Sequence, residues 1–228
     1  MDDELARGEL LLSDKKSNWL ISVVTAILII FLGAFTLFTY FCGCAVVEGH
    51  SMENTLHDGQ RALLLKHGYN LGYGDIITLK HPNDDDEMLI KRVIGMGDDK
   101  ILFVYSKNGN EVDLYRAKAG ESHFSLVYEP YIKERMNHRN FGSNTVVPFA
   151  DRETIEAANF DTAAGQLYLS SAITVPKNEI YFLGDNRNNS SDSRAYGTSK
   201  TSDVTGKVIG IAQHGSTLEG FLNFMFSL

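Results

Sequence analysis

Three stretches of this chain set candidate nucleophiles and bases in patterns that could do covalent chemistry. The first is Glu48-Gly49-His50-Ser51-Met52-Glu53-Asn54-Thr55-Leu56. A serine hydroxyl becomes a useful nucleophile only when a neighbouring group takes its proton. Among seven histidines, His50 adjoins Ser51, but adjacent side chains in an extended stretch point to opposite faces. The other histidines fall in loops or turns without a motif. A lysine is the alternative base, provided that it is neutral, and burial among apolar groups favours the neutral amine. Lys91, in the second stretch Lys91-Arg92-Val93-Ile94-Gly95, suits that role. Leu89 and Val93 share its strand parity, so it points where apolar side chains point. Ile90 and Ile94 on the other parity are apolar too, which describes a strand buried on both faces. Arg92 interrupts that second face and needs a carboxylate partner. The third stretch runs Gly184-Asp185-Asn186-Arg187-Asn188-Asn189-Ser190-Ser191-Asp192-Ser193-Arg194. Each stretch alone has an ordinary explanation: a turn serine, a lysine lying along apolar surface, a polar surface loop.

Some element must bring the three together, and the chain ahead of Ser51 constrains where that happens. Residues 1–16 are polar, no charge falls between Ser17 and Val47, and Trp19 to Phe41 is almost wholly apolar. At 1.5 Å per residue that run is long enough to cross a ~30 Å hydrocarbon core. Trp19, Tyr40 and Phe41 stand near its ends, where aromatic anchors are expected. The run exceeds the h-region of a secretory signal, so it reads as an uncleaved anchor, although Gly43-Cys44-Ala45 has the small-x-small form of a cleavage site. Lys15 and Lys16 flank its start, and Glu48 is the first charge after it. The expected organisation is a cytoplasmic N-terminus at 1–16, a transmembrane anchor at 17–46, and an extracytoplasmic domain at 47–228 in the cell membrane.

Beyond the anchor the pattern is mostly β. Arg61–Leu65, Ile76–Leu79, Met88–Ile94, Ile101–Tyr105 and Ile180–Leu183 read as strands. His81–Glu87 is expected to be an acidic hairpin loop. Residues from about 111 to 169 carry weak periodicity and read as an insertion in the β core, with a short helix near Asp151–Asn159. The apolar tail Phe221–Phe226 is too short to span a bilayer and reads as a core strand or an interfacial anchor. The net charge of −8, without a basic block, argues against a nucleic-acid partner. Cys42 and Cys44 alone can form neither a disulfide framework nor a zinc quartet.

Taken together, the three stretches resemble type I signal peptidases of peptidase family S26. These are membrane-anchored serine proteases with a Ser-Lys dyad, and they remove signal peptides from exported proteins. The patterns S-M-x-P-T, K-R-V-I-G and G-D-N-R-x-x-S-x-D-S-R-x-x-G occur in order, the third complete through Gly197. The likeness runs from about Trp19 to Ile211. It implies a mostly β, signal-peptidase-like catalytic domain with an inserted subdomain, in which Glu129-Pro130-Tyr131-Ile132 resembles a recurring E-x-Y-I element. It implies Ser51 as nucleophile and Lys91 as general base. Ser190 would hydrogen-bond the lysine amine, and Asp192 and Arg194 would pair to hold the segment. Asp185, Asn186 and Arg187 would be structural. Met52, beside the nucleophile, would help wall a shallow substrate pocket. No cofactor or metal is implied. The implied partners are signal peptides of secreted pre-proteins and the lipid bilayer, with the protein a monomer.

Three departures stand out. Asn54 replaces the usual proline, and Gly97-Asp98 stands where Pro-Gly is usual. Gly49 occupies a position where a serine often supplies a second oxyanion donor, leaving the Ser51 amide as the first. Two other readings remain: a silent, anchored relative that assembles surface proteins, and a Ser-Lys self-cleaving repressor. The second would need a DNA-binding module and no anchor.

Overall fold

The computed structural model describes residues 2–53, 55–141 and 146–226. It falls into two units, Met1–Cys42 and Gly43–Leu228. The first is helix α1 (Asp2–Phe41). Its Asn18–Phe41 stretch has a mean hydropathy of 2.7 and is long and apolar enough to cross a membrane. Ile30 and Phe31 on this helix are 72% and 69% exposed. A helix apolar all round is stable only inside a core or in lipid, so this one is compatible with membrane anchoring. The anchor expected to reach residue 46 stops sooner: the helix ends at Phe41 and Cys42–Val46 forms strand β1. Those residues instead join a sheet beside the next strand.

The second unit continues with β2 (Arg61–Leu65), β3 (Ile76–His81), β4 (Asp84–Met96), β5 (Lys100–Tyr105), β6 (Glu111–Ala117), β7 (Ser125–Leu126), β8 (Met136–Asn137) and β9 (Val146–Val147). Helices α2 (Arg152–Ala157) and α3 (Ala163–Ser171) follow, then β10 (Ile173–Thr174), β11 (Glu179–Leu183), α4 (Ser193–Tyr196), β12 (Ser199–Lys200), β13 (Val204–Ala212) and α5 (Thr217–Phe226). One seven-stranded sheet has the order β1-β2-β13-β3-β4-β11-β12, so β13 returns from the end of the chain to lie between β2 and β3. A second sheet has the order β10-β5-β6-β7, with β8 on β6 and β9 parallel to β5. This sheet starts at Lys100 and ends at Thr174, and residues 111–169, the stretch read as an insertion, fall within that span.

β4 and β11 lie between two cores, which is why neither alternates apolar with polar. Leu89 and Val93 of β4 pack with Ile77, Leu79, Ile180 and Phe182. Ile94, on the other parity, packs with Ile101, Phe103, Tyr181 and Leu183 and so joins the two sheets. From Lys91 to Gly95 the strand is buried on both faces, as its sequence indicates.

Two local expectations need correction, and a third is met and extended. The hairpin joining β3 to β4 has no long acidic loop: His81 pairs with Asp84, so Pro82 and Asn83 make the turn and the acidic residues lie in β4. Of the two readings of the apolar tail, the core strand gives way to a helix, α5. Ser216 Oγ accepts from Glu219 N–H, and the Glu219 carboxylate accepts from Gly215 N–H, a reciprocal cap that starts a helix. Leu222 is buried while Phe224 stays 80% exposed. A helix near Asp151 is present as α2, capped by the Asp151 side chain on Thr154 N–H. A second helix, α3, follows it, and Thr162 Oγ1 caps that one.

Candidate active site

Ser51 stands just after β1, in a turn that closes on itself. Glu53 N–H donates to the His50 carbonyl, and the amides of Thr55 and Leu56 donate to the Met52 carbonyl. Gly49 enters this turn at φ +77°, a region costly for residues with a Cβ, and its N–H donates to Asp58 Oδ1 at 2.7 Å. Met52 and Leu56 are buried and pack with Val47, pinning the turn to the domain. Asn54, where the family pattern has proline, lies outside the described residues.

β4 brings Lys91 to the same place. Lys91 Nζ donates to Ser51 Oγ at 2.8 Å and to the Ile90 carbonyl at 3.1 Å. The lysine is only 3% exposed. Burial pushes its ammonium down to about 8, against Asp192 and Glu87, which pull it back up. Desolvation wins because the carboxylates act at a distance while apolar neighbours surround the stem. His50, the adjacent histidine, is exposed and turned to Glu53 at 2.6 Å. The serine hydroxyl therefore meets a lysine, not a histidine.

The 184–194 segment closes over this pair. Asn186 N–H donates to the Ser51 carbonyl at 3.0 Å, and Asn186 Nδ2 donates to the His50 carbonyl at 3.0 Å. Gly184 permits the approach: a Cβ there would lie 2.5 Å from the Ser51 carbonyl oxygen and would also overlap Ser190 Oγ. Asp192 is fully buried and accepts twice from the Arg194 guanidinium, each at 2.8 Å, once from Arg194 N–H at 3.2 Å and once from Gly184 N–H at 3.1 Å. The pair thus ties α4 back to the end of β11. Ser190 differs from its expected role. Among the described residues its hydroxyl is buried without a hydrogen-bond partner, and the Lys91 amine donates to Ser51 and Ile90. The Ser190 side chain packs at Gly184, where a Cβ would overlap it.

Arg92 finds its carboxylate in Asp185, with Nε at 2.8 Å and Nη2 at 2.5 Å. Asp185 also accepts from the Thr55 hydroxyl. Such a buried, bidentate pair holds geometry well, and removing one member costs about 3–5 kcal/mol. Arg187 is likewise buried, against Glu129 at 2.5 and 2.6 Å. Sequence reasoning assigns no partner to Asp185 or Arg187. The E-x-Y-I element is the available signal for Glu129.

Beside the dyad runs a cleft of about 690 Å³, with Val46 to Ser51 on one wall and Asp86 to Lys91 on the other. β11 pairs with β4 only from Arg92 to Met96, while β3 covers the opposite edge from Asp84 to Arg92. Among the described residues, the stretch Asp86–Ile90 therefore presents an unpaired strand edge to the cleft. Met52, 1% exposed, lies beneath the Ser51 end of it. An extended peptide laid along that edge would place a carbonyl near Ser51.

The model of the family described as "Signal peptidase, peptidase S26" matches residues 17–212, and the chain belongs to that family. Signal peptidase I of Streptococcus pneumoniae serotype 4 is 33% identical over 172 residues, spanning 74% of this chain and 80% of that protein. Signal peptidase IB of Staphylococcus aureus strain Mu50 is 29% identical over 198 residues, spanning 84% and 86%. A crystal structure of a signal peptidase I from Enterococcus faecalis V583 aligns with a TM-score of 0.37 at 23% identity, covering 62% of this chain and 99% of that one.

The contact at Gly184 gives a direct prediction. Gly184→Ala should slow acylation of Ser51 by a serine-directed reagent roughly 100-fold, since a displacement of about 1 Å costs that much. Intact-mass labelling rates check this, and an unchanged rate would show that the contact does not set the position of Ser51.

Proposed function

We propose that Ser51 is the nucleophile and Lys91 the general base of this serine protease, and that it removes N-terminal signal peptides from exported pre-proteins. The observation that carries the reading is the 2.8 Å contact between a buried lysine amine and the serine hydroxyl. Neutral Lys91 takes the proton as Ser51 Oγ attacks the scissile carbonyl. The C–N bond then breaks, the lysine returns the proton to the leaving amine, and water hydrolyses the acyl ester by the same route. The Ser51 amide is the first oxyanion donor. Gly49 supplies no hydroxyl, so the second must be a backbone amide or water. Intact dyad geometry favours this reading over a silent assembly factor.

The substrate is an extended segment added to the free edge of β4, with backbone bonds giving affinity and side-chain pockets giving choice. Alternate residues of a strand face the same wall, so the first and third residues before the cut share one surface. Met52 closes that surface from below, and small side chains such as Ala fit it. Purified protein should cleave a pre-protein with activity rising through about pH 8 as Lys91 deprotonates. Lys91→Ala and Lys91→Arg should both abolish cleavage, because a guanidinium stays charged. Full activity in Lys91→Arg, or equal cutting after Phe and Ala at the two positions, would refute the assignment.

The bilayer is the second partner, with the N-terminus cytoplasmic and residues 48–228 outside, as Lys15 and Lys16 beside the uncharged span indicate. Protease added to intact cells or spheroplasts should digest the large domain. Protection of the domain until lysis would reverse the orientation.

A further inference from the structure

The 184–187 loop that touches Ser51 is gripped from behind by a segment of the second sheet, between β7 and β8. Glu129 holds Arg187 by two bonds, both side chains being nearly fully buried. Arg187 Nε donates to the Gly184 carbonyl at 3.0 Å, at the residue packed on Ser51. Tyr131 OH donates to Glu129 at 2.7 Å. The Tyr131 ring lies under the Arg92 guanidinium, 3.9 Å from its centroid, and Arg92 in turn holds Asp185. Further along, Asn188 accepts from Asn137 N–H at 2.8 Å and donates to the Arg135 carbonyl at 3.1 Å. Both arginines of the loop network are thus fixed by one short segment far from them in sequence.

We propose that Glu129 and Tyr131 are positioning residues for proteolysis: they clamp the 184–187 loop against the Ser51 backbone and so maintain the contact between Ser51 and Lys91. The proposal rests on the dyad reading above. Neither residue lines the cleft beside Ser51, so their loss acts on the chemical step and leaves substrate binding largely intact. Loosening the loop also lets water reach Lys91. The charged or titratable groups around that lysine are Asp192 from the loop, Glu87 and Asp86 on its own strand, Glu48 and His50 across the cleft, and Tyr196 of α4. On β3 the paired residue is apolar Ile77. None of these is altered by a change at Tyr131. A shift of the basic group's titration therefore reports hydration of Lys91, and its sign is upward, toward the ordinary lysine value.

The test is steady-state cleavage of a pre-protein by the full-length chain in detergent micelles, as a function of pH. Glu129→Gln leaves Arg187 buried without its carboxylate and risks unfolding, so Tyr131→Leu is the decisive variant, since it keeps every ion pair. It should lower kcat roughly 10–100-fold, since misplacing a reacting group by about 1 Å can cost ~100-fold. KM should change little, and the pH midpoint of activity should move above that of the parent. Tyr131→Phe, which keeps the ring under Arg92, should recover most of the rate. Unchanged kcat and midpoint in Tyr131→Leu, with only a lower melting temperature, would make the segment merely structural and overturn the proposal. Lys91→Ala is run beside it. If Lys91→Ala stays active, the dyad fails and the clamp with it, whereas inactive Lys91→Ala with fully active Tyr131→Leu sinks the clamp alone.

Discussion

A lysine amine held in an apolar strand, within hydrogen-bonding distance of a serine hydroxyl, is the constraint around which the domain is arranged. In water that amine would be charged at neutral pH and could accept no proton. Keeping it neutral requires apolar contact along the stem, and both faces of β4 must then be covered. On one face Leu89 and Val93 pack beside β3 and β11 side chains of the same sheet, and on the other Ile94 packs against Ile101 and Phe103 of the second sheet. Lys91 lies on the Leu89 and Val93 face, where Ser51 meets its amine, while the second sheet packs on the opposite, Ile94 face.

Covering the strand creates a second problem, because the loop over Ser51 is rich in charged and polar groups. Unpaired, Asp185, Arg187, Asp192 and Arg92 would each be costly at such burial. The structure pairs all of them, Arg92 with Asp185, Arg187 with Glu129 and Arg194 with Asp192. These pairs stabilise little on net when compared with apolar packing. Their value is geometric, since bidentate arginine–carboxylate contacts fix direction as well as distance. The loop is held in one place, and the Ser51 backbone with it.

How much of this is legible in the residues varies with the range of the interaction. Parity along β4 is local, so the burial of Lys91 and the need of Arg92 for a carboxylate can be read directly. The identity of that carboxylate cannot, since Asp185 lies 93 residues away and nothing in composition links the two. Glu129 is visible only as part of a short motif. For Ser190 the motif position suggests a bond to the lysine, a bond that the described residues do not show. The apolar tail misleads for a different reason, since its pattern is short and ambiguous, and the cap at Ser216 and Glu219 decides for a helix. Strand limits at β1 and β4 are set by pairing partners distant in the chain, which a local pattern does not carry.

The central claim is that burial makes Lys91 neutral enough to act as a base. The most direct measurement is the titration of the Lys91 side chain itself, followed by NMR of its terminal methylene in the full-length protein with lysine selectively labelled and Lys91→Met used for assignment. A midpoint at about 8 is the predicted result. A midpoint near the ordinary lysine value of about 10.4 would contradict the account.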